Sequence, residues 1–590
     1  MEIGTDKNSI EQYVREFALK TFGTAFSFRK YQQETCVSTI YNILNEDRPD
    51  RTIIQAPTGS GKSITAIVIA GVLNEYFNMT GYILISDLSL LEQYIRDIEL
   101  YLPEWGYIKG QDNYSCLKNG MDYRFGQCHM IDGLKKVGDI LCQYDDCAPS
   151  CAYIQDRIRA AKAGVTLCTY HHFLSHQNMR MKGFNTYAFS ERDFIICDEA
   201  HKVVDIVQQM YSIVIGERTI KLVHNIAKQV EMDENNPSIK RVEEKVQNLL
   251  ESSEEPSIIL SRVSDIYSAI DTFDRNVSPI VRRLVDGKNK AALSLTIRYG
   301  QIKDILEELS SFTENAKAAN DIIFTLAPNG KTVTLNRLNE DDLMKRHFHP
   351  YYKYAVFMSA TIGDPSEFSK NAAFDNYEFL DIPSTFDFTY SKIFFIPGYK
   401  MSIKYKHESM PSIAGMIGNI MKMYESMRGC ILVSSYAMAK EIRDMLPEDE
   451  QKRVLLYENS REKIDALNRY RYGTNNYVLI GPSLFDGISL DDDLCRFIVI
   501  AKIPYPDLSN KFCNKKRELN PVWYSGQAAL SIIQGVGRGV RSETDWCQTF
   551  IIDDCFEMLY RMSNKMFSKD FKGRIQKITK ESLDQKESDK

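Results

Sequence analysis

No run of about 18 apolar residues occurs in this 590-residue chain, so no stretch has the composition of a membrane-spanning helix. Met1 to Asp6 lack the basic-then-apolar pattern of a secretory signal. The expectation is a cytoplasmic protein, or a nuclear one in a eukaryote, neither secreted nor membrane-bound, where structural disulfides are rare. Positive charge is not in excess: a formal net charge of −6 excludes a globally basic nucleic-acid coat, though not a local basic channel. The thirteen cysteines do not repeat the Cys-x-x-Cys spacing of common zinc modules. What remains is ordinary for a soluble protein, 44% hydrophobic and 26% charged. Single cores seldom grow past roughly 250–300 residues, so several domains are expected.

The stretch that organises the chain is Gln55-Ala56-Pro57-Thr58-Gly59-Ser60-Gly61-Lys62-Ser63. It follows the apolar Ile53-Ile54 and precedes the apolar run Ile64 to Ala70, which places it between a buried strand and a buried helix. That is the setting of a phosphate-binding loop. Gly59 and Gly61 let backbone N–H groups curl around an anionic oxygen, and the helix N-terminus adds its dipole. Lys62 is placed to reach β- and γ-phosphates, and the Ser63 hydroxyl to ligate Mg²⁺. The sequence predicts a nucleoside triphosphate site.

Upstream, residues 8–20 have helical spacing, and Phe26 to Gln32 leads into a second helix. Gln32 reads equally as a solvated helix residue and as an amide offered to an adenine edge. Alternating strands and helices, stopping near residue 105, predict an α/β fold with a parallel sheet covered on both faces. Val165 to His172 resumes the sheet, with Tyr170 read as buried packing. Asp193 to Cys197 is an apolar strand ending in Asp198-Glu199-Ala200-His201. There Asp198 suits Mg²⁺ and Glu199 suits polarisation of an attacking water.

Between these parts, residues 106–154 are irregular and carry Cys116, Cys128, Cys142, Cys147 and Cys151. Such crowding suggests four thiolates on a soft cation or an iron–sulfur cluster, and ligand chemistry does not choose between iron and zinc. The close trio Cys142, Cys147 and Cys151 needs one distant partner, Cys116 in preference to Cys128, with His129 an outside candidate. Arg157, Arg159 and Lys162 follow on a helix that suits either nucleic-acid phosphates or solvent. Residues 206–345 read as a charged helical insertion without a catalytic motif. A second α/β unit over residues 376–575 ends in Gln534 to Arg541, where Arg538 and Arg541 are expected on one helix face, suited to clamp a γ-phosphate. The tail from 576 reads as charged and frayed.

The order of these motifs resembles superfamily 2 helicases, and within them the XPD/DinG-like branch. The resemblance rests on Phe28-Arg29-x-x-Gln32, Ala56 to Ser63, Asp198 to His201, Ser359-Ala360-Thr361, Ser434-Ser435-Tyr436, Phe485-Asp486-Gly487-Ile488 and Gln534 to Arg541. It implies two RecA-like motor domains that hydrolyse ATP with Mg²⁺ at their interface. The first motor domain is expected in three parts, 1–105, 155–205 and 346–375, interrupted by an iron–sulfur-like insertion (106–154) and an Arch-like insertion (206–345). The second is expected over 376–575. It further implies a 4Fe-4S cluster, a monomer, and 5′→3′ movement on single-stranded DNA bearing forked or tailed duplex. Matched by position, Arg29, Gln32, Thr58, Gly59, Ser60, Gly61 and Gly487 belong to the nucleotide site. Ser359 and Thr361 couple hydrolysis to strand movement, and Gln534, Arg538 and Arg541 close the site, with Arg541 as the finger. The chain departs from the family at Ser489, where an acid is usual, and at Thr169, where Asn is usual.

Three rivals stay open on sequence: an RNA helicase, because Asp-Glu-Ala-His occurs there too; a translocase that does not separate long duplex; and a non-enzymatic scaffold switched by ATP. The cysteine-rich segment argues against the first. Glu199 together with the paired arginines argues against the last.

Overall fold

The structure is a computed structural model describing residues 3–57, 59–123, 126, 147–181, 190–252, 255–285, 290–315, 322–401, 405–484, 490, 492–540 and 544–579. In chain order its strands are β1 (Arg51–Gln55), β2 (Gly81–Ile85), β3 (Gly106–Ile108), β4 (Val165–Thr169), β5 (Arg192–Asp198), β6 (Ile213–Gly216), β7 (Ile322–Leu326), β8 (Thr332–Arg337) and β9 (Tyr352–Ser359). They continue with β10 (Glu378–Asp381), β11 (Ile393–Phe395), β12 (Gly429–Leu432), β13 (Val454–Leu455), β14 (Val478–Gly481), β15 (Phe497–Ile500), β16 (Gln548–Ile551) and β17 (Ile575–Lys577).

Two seven-stranded sheets organise the described residues, in the orders β10-β1-β9-β5-β2-β4-β3 and β13-β14-β12-β15-β16-β11-β17. The recorded pairings in both are parallel. Parallel strands need crossover helices on the sheet faces, which bury both sides and favour continuous apolar strands. β1 illustrates the result. Ile53 joins Leu84, Ile195 and Phe357 in one layer, whereas Ile54 joins Ile83, Ile196 and Met358 in the other. Because all these strands point the same way, their carboxyl ends lie along one edge. The loop after β1, Asp198 at the end of β5 and Ser359 at the end of β9 therefore share that edge.

The helix that follows the loop, Lys62–Phe77, is buried without interruption from Thr65 to Leu73 because sheet and outer helices enclose it. Gly71 sits under the Phe17 ring so closely that a Cβ there would lie 1.9 Å from Phe17 Cζ. Phe17 is itself buried and cannot turn aside. Gly71→Ala is accordingly expected to destabilise the fold by about 1–3 kcal/mol through overpacking, read as a lower denaturation midpoint. An unchanged midpoint would show that Phe17 moves freely.

Several boundaries differ from the sequence reading. β3 belongs to the first sheet although it lies in the stretch expected to be irregular. β10 pairs with β1 beyond residue 375, and β17 pairs with β11 beyond residue 575. The region 206–345 is not purely helical: β6, β8 and β7 form an antiparallel sheet that shares one core with its helices, from Ile213 to Leu335. β4 ends at Thr169, so Tyr170 and His171 open a helix, Tyr170–Met181, instead of extending the strand. Among the described residues no helix is long and apolar enough to cross a membrane.

Candidate active site

The loop after β1 is held from both sides. Ala56 donates its N–H to the Ser359 carbonyl (2.9 Å), which ties the loop to β9. Gln55 Oε1 accepts the N–H groups of Ile362 and Gly363, each at 3.0 Å. Gly59 and Gly61 have φ of +78° and +82°, a conformation that side chains other than glycine rarely adopt. Lys62 spans the loop mouth, donating from Nζ to the Ala56 carbonyl at 3.2 Å.

Arg29 and Gln32 brace the loop. The Arg29 guanidinium donates to the Gly59 carbonyl. The Gln32 amide donates to the Gly61 carbonyl (3.0 Å) and accepts the Arg29 N–H (3.0 Å). Gln32 is buried, so the solvated reading of it is wrong, and both ends of its amide are engaged within the protein. The packing also fixes residue 61, since a Cβ on Gly61 would lie 2.7 Å from Gln32 Nε2. Ser60 lies in the turn between the two glycines, and Ser63 stands in the first turn of the helix. Thr58, also expected at this site, lies outside the described residues.

At the end of β5, Asp198 is 2% exposed. Its carboxylate accepts the Tyr94 hydroxyl (2.8 Å) and the Glu199 N–H (2.9 Å). Burial, with Glu199 adding to it, pushes Asp198 up to about 6. Glu199 adopts left-handed backbone at φ +50°, a strained conformation for this residue type, which turns its side chain out of the sheet. Burial alone would raise Glu199, but Lys62, His201 and Lys202 outweigh it and leave its carboxyl lowered. Tyr170 donates its hydroxyl to the Asp198 carbonyl (2.9 Å), locking the strand end.

From Glu199 a bonded path leads out of the first sheet. Ser359 Oγ lies 3.4 Å from Glu199 Oε2, and His201 Nδ1 lies 2.8 Å from Ser359 Oγ and 3.3 Å from Glu199 Oε2. The Gln534 amide reaches His201 Nε2 at 2.8 Å, across 333 residues of sequence. These contacts fit an imidazole protonated at Nδ1, whose Nε2 accepts from Gln534. Thr361 completes the set by donating its N–H to Ser359 Oγ (3.1 Å).

A cleft of about 840 Å³ lies between the two sheets, lined by Glu199, His201, Thr361, Gln534 and Arg538 among others. Arg538 is not on a helix, contrary to expectation. The helix Pro521–Val536 stops at Gly537, and Arg538 lies in the turn beyond it. Arg541 and Gly487, with Asp486, Ile488 and Ser489, lie outside the described residues.

Of the five clustered cysteines, Cys128 and Cys142 also lie outside the described residues, as does His129. Cys116, Cys147 and Cys151 are buried. Cys147 and Cys151 bracket one short turn and pack with Tyr114, Tyr123 and Tyr153. Among the described residues no three potential metal ligands converge. These three thiols therefore do not make a site by themselves, and any four-thiolate set depends on Cys128 or Cys142.

Sequence reasoning missed Tyr94. With Leu91, Ile95 and Ile98 it forms the buried stripe of the helix Leu88–Tyr101, and a hydroxyl in an otherwise apolar stripe was the available signal.

Two family models match the chain: a helicase C-terminal domain over residues 417–574, and the type III restriction enzyme res subunit over residues 25–232. The second match holds the phosphate loop and the acidic pair, and the first holds Gln534 and Arg538. Together with the relatives below, these matches are consistent with an XPD/DinG-like superfamily 2 helicase.

The chain is 21% identical to the ATP-dependent DNA helicase YoaA of Escherichia coli strain K12, over 68% of its own length and 66% of the relative's. It is 21% identical to the ATP-dependent DNA helicase CHL1 of Kluyveromyces lactis, over 74% and 60% respectively. Identity rises to 34% with the XPD helicase of Sulfolobus acidocaldarius, but only over 15% of this chain and 19% of that one. The chain thus spans about two thirds or less of the curated relatives it matches. Among solved structures, an XPD helicase superposes with a TM-score of 0.61 at 16% identity, covering 94% of this chain and all of that one. Xpd4 of S. tokodaii gives 0.58 at 14% identity, with 93% and 100% coverage. These likenesses establish the shared fold.

Proposed function

We propose that the chain is an ATP-dependent DNA helicase that moves 5′→3′ along single-stranded DNA and separates forked or tailed duplex. The observation that carries this reading is the path from Glu199 through Ser359 and His201 to Gln534. It joins the acid beside the phosphate loop to a helix of the other sheet, so hydrolysis and movement of the two domains share the same atoms. That YoaA, CHL1 and XPD are DNA helicases supports DNA as the substrate.

The site residues fit the chemistry. The N–H groups of Gly59 to Ser63 cradle phosphate oxygens, and the Lys62 ammonium leaves its carbonyl partner for the γ-phosphate. An all-oxygen pair, the Ser63 hydroxyl and the Asp198 carboxylate, suits Mg²⁺, which when bound neutralises charge on the β- and γ-phosphates. Glu199, held ionised by Lys62 and His201, orients and polarises the attacking water. Arg541 is the proposed arginine finger that meets charge developing on the transferred group, and Arg538, which lines the cleft from the second domain, helps close the site. Gln534 already meets His201 across the cleft, so a change in domain spacing alters the bonds at His201 and reaches Glu199 through Ser359. Arg29 and Gln32 set the loop against its base, and Gly487 is proposed for the nucleotide site from the family resemblance.

An iron–sulfur cluster on Cys116, Cys142, Cys147 and Cys151 is part of the proposal. Cys128 is the alternative ligand and zinc the alternative metal. Its support is the XPD likeness and the burial of three of these thiols. Iron and zinc analysis of anaerobically purified protein tests it, and a zinc-only result with an intact fold would overturn it. The region 206–345, with its own core, is assigned as the Arch-like insertion.

The deciding experiment is ATP-driven unwinding of matched duplexes with a 5′ or a 3′ single-stranded tail. Unwinding of the 5′-tailed substrate alone is expected. A 3′ preference would overturn the polarity. DNA-stimulated hydrolysis without unwinding would make the protein a translocase.

A further inference from the structure

Arg574 is a buried cation in the wall of the cleft, 7% exposed, at the end of the short helix Lys569–Arg574. Its Nε donates to the Ser391 carbonyl (2.7 Å), and its guanidinium carbon lies 4.4 Å from the centre of the Phe388 ring. Among the described residues Nη2 has no hydrogen-bond partner. Burial lowers this guanidinium to about 10, so the fold holds a charged donor where its surroundings penalise it. A buried donor without an acceptor costs free energy, more so when charged, and the cleft is where an acceptor can enter.

The segment joining the two sheets locates that acceptor. Ile382 donates its N–H to the Gln55 carbonyl (2.8 Å) at the start of the phosphate loop, and Ser384 donates its N–H to the Asp570 carboxylate (3.2 Å). Pro57 and Ser60 of the loop share a small recess with Ser384. Residues 382–391 thus run from the loop to Arg574, and Phe386 and Phe388 on this run line the same cleft as Arg574. The two rings stand 6.3 Å apart at 66°. When the loop and Lys62 hold the phosphates, what projects beyond them is the nucleoside. Aromatic faces beside a planar guanidinium suit a base, which offers a π face and ring acceptors, and offer a phosphate little. Gln32, the other donor considered for a base, has both ends of its amide engaged within the first domain.

We infer that Arg574 and Phe388 form a base-contacting wall of the nucleotide site, with Nη2 donating to a ring acceptor of the purine. Phe388 fixes the plane of the guanidinium, and Ser391 fixes its direction. The inference rests on the proposed nucleotide site and deepens it, because it assigns the base contact to the second domain and the phosphate contacts to the first.

The test uses the full-length chain, with Arg574→Met and Phe388→Leu as variants. A fluorescent ADP analogue is displaced by ATP and, separately, by tripolyphosphate, which has the phosphates and no base. The readout is the ratio of the two dissociation constants, taken beside the unfolding midpoint. Arg574→Met is expected to weaken ATP about 10-fold or more, as loss of a charged hydrogen bond does, and to leave tripolyphosphate within about twofold. Phe388→Leu is expected to weaken ATP about fivefold or more with the same selectivity, through lost stacking. Equal weakening of ATP and tripolyphosphate would overturn the inference and give the guanidinium to the phosphates. Wild-type affinity for ATP beside a lowered midpoint would overturn it too, leaving Arg574 a structural residue. Should Arg574→Met not fold, Phe388→Leu decides by the same ratio. Failure of the nucleotide site itself shows separately, in the wild-type arm, as an analogue that does not bind or that neither competitor displaces.

Discussion

Glu199→Gln is expected to bind nucleotide with near wild-type affinity and to hydrolyse ATP about 10²–10⁴ times more slowly, the range lost with a general base. Glutamine keeps the length of the side chain and a carbonyl oxygen that accepts from Ser359, so the path toward Gln534 stays bonded. What disappears is the charge that Lys62 and His201 hold on the carboxylate. The left-handed backbone at residue 199 is kept, because both side chains meet the same backbone constraint there. Phosphate release measured beside fluorescent-nucleotide binding separates the two effects. Turnover within twofold of wild type, with binding intact, would place the base elsewhere.

The parts of this site legible in the sequence are those whose chemistry is local. Strand, glycine loop, lysine and helix follow one another over residues 51–77, so each fixes its neighbour's conformation. The acidic pair was legible for the same reason, as the end of an apolar strand. The contact of His201 with Gln534 was not, since only two folded sheets bring residues 333 apart within 2.8 Å. Gln32 was ambiguous because an amide serves solvent, base and loop equally well, and the tight approach to Gly61 decides the matter. Arg538 was misplaced because Gly535, Gly537 and Gly539 interrupt the helical pattern, and glycine costs a helix about 1 kcal/mol per residue relative to alanine. The helix ends among them. β10 and β17 escaped notice because Glu378–Asp381 and Ile575–Lys577 are short and charged, with little apolar signal. Their identity as strands comes from the neighbour each pairs with. β8 did alternate, with Val333, Leu335 and Arg337 turned inward, yet it was overshadowed by the long helices around it.

Lys516→Met is expected to destabilise the protein by about 3–5 kcal/mol near neutral pH, as removal of one member of a buried ion pair does. Lys516, on the helix Lys511–Leu519 of the second domain, pairs with Glu340 on the helix Glu340–His347. Its ammonium also lies 4.1 Å from the centre of the Trp523 ring. Lysine and glutamate are 8% and 9% exposed, so water screens the pair little. Burial raises the Glu340 carboxyl, and Lys516 works against that rise. Asp205, four residues beyond His201, is raised by burial in the same way and has Lys516 as its opposing charge. Without Lys516 both acids keep the desolvation and lose the cation, so their folded-state values move further above those of the unfolded chain. A raised folded value means that the native state binds the extra protons. The stability it confers is present below the unfolded carboxylate range and is lost as pH rises through the folded value. The variant should therefore lie nearer wild type at pH 5 than at pH 8, and unfolding curves at the two pH values measure the difference. Adding Glu340→Leu removes one stranded charge and should restore part of the loss. An equal deficit at both pH values would mean that Lys516 acts through its contact with Trp523. In either case the same substitution loosens a joint between the second domain and the segment following His201, within reach of the path that links hydrolysis to movement.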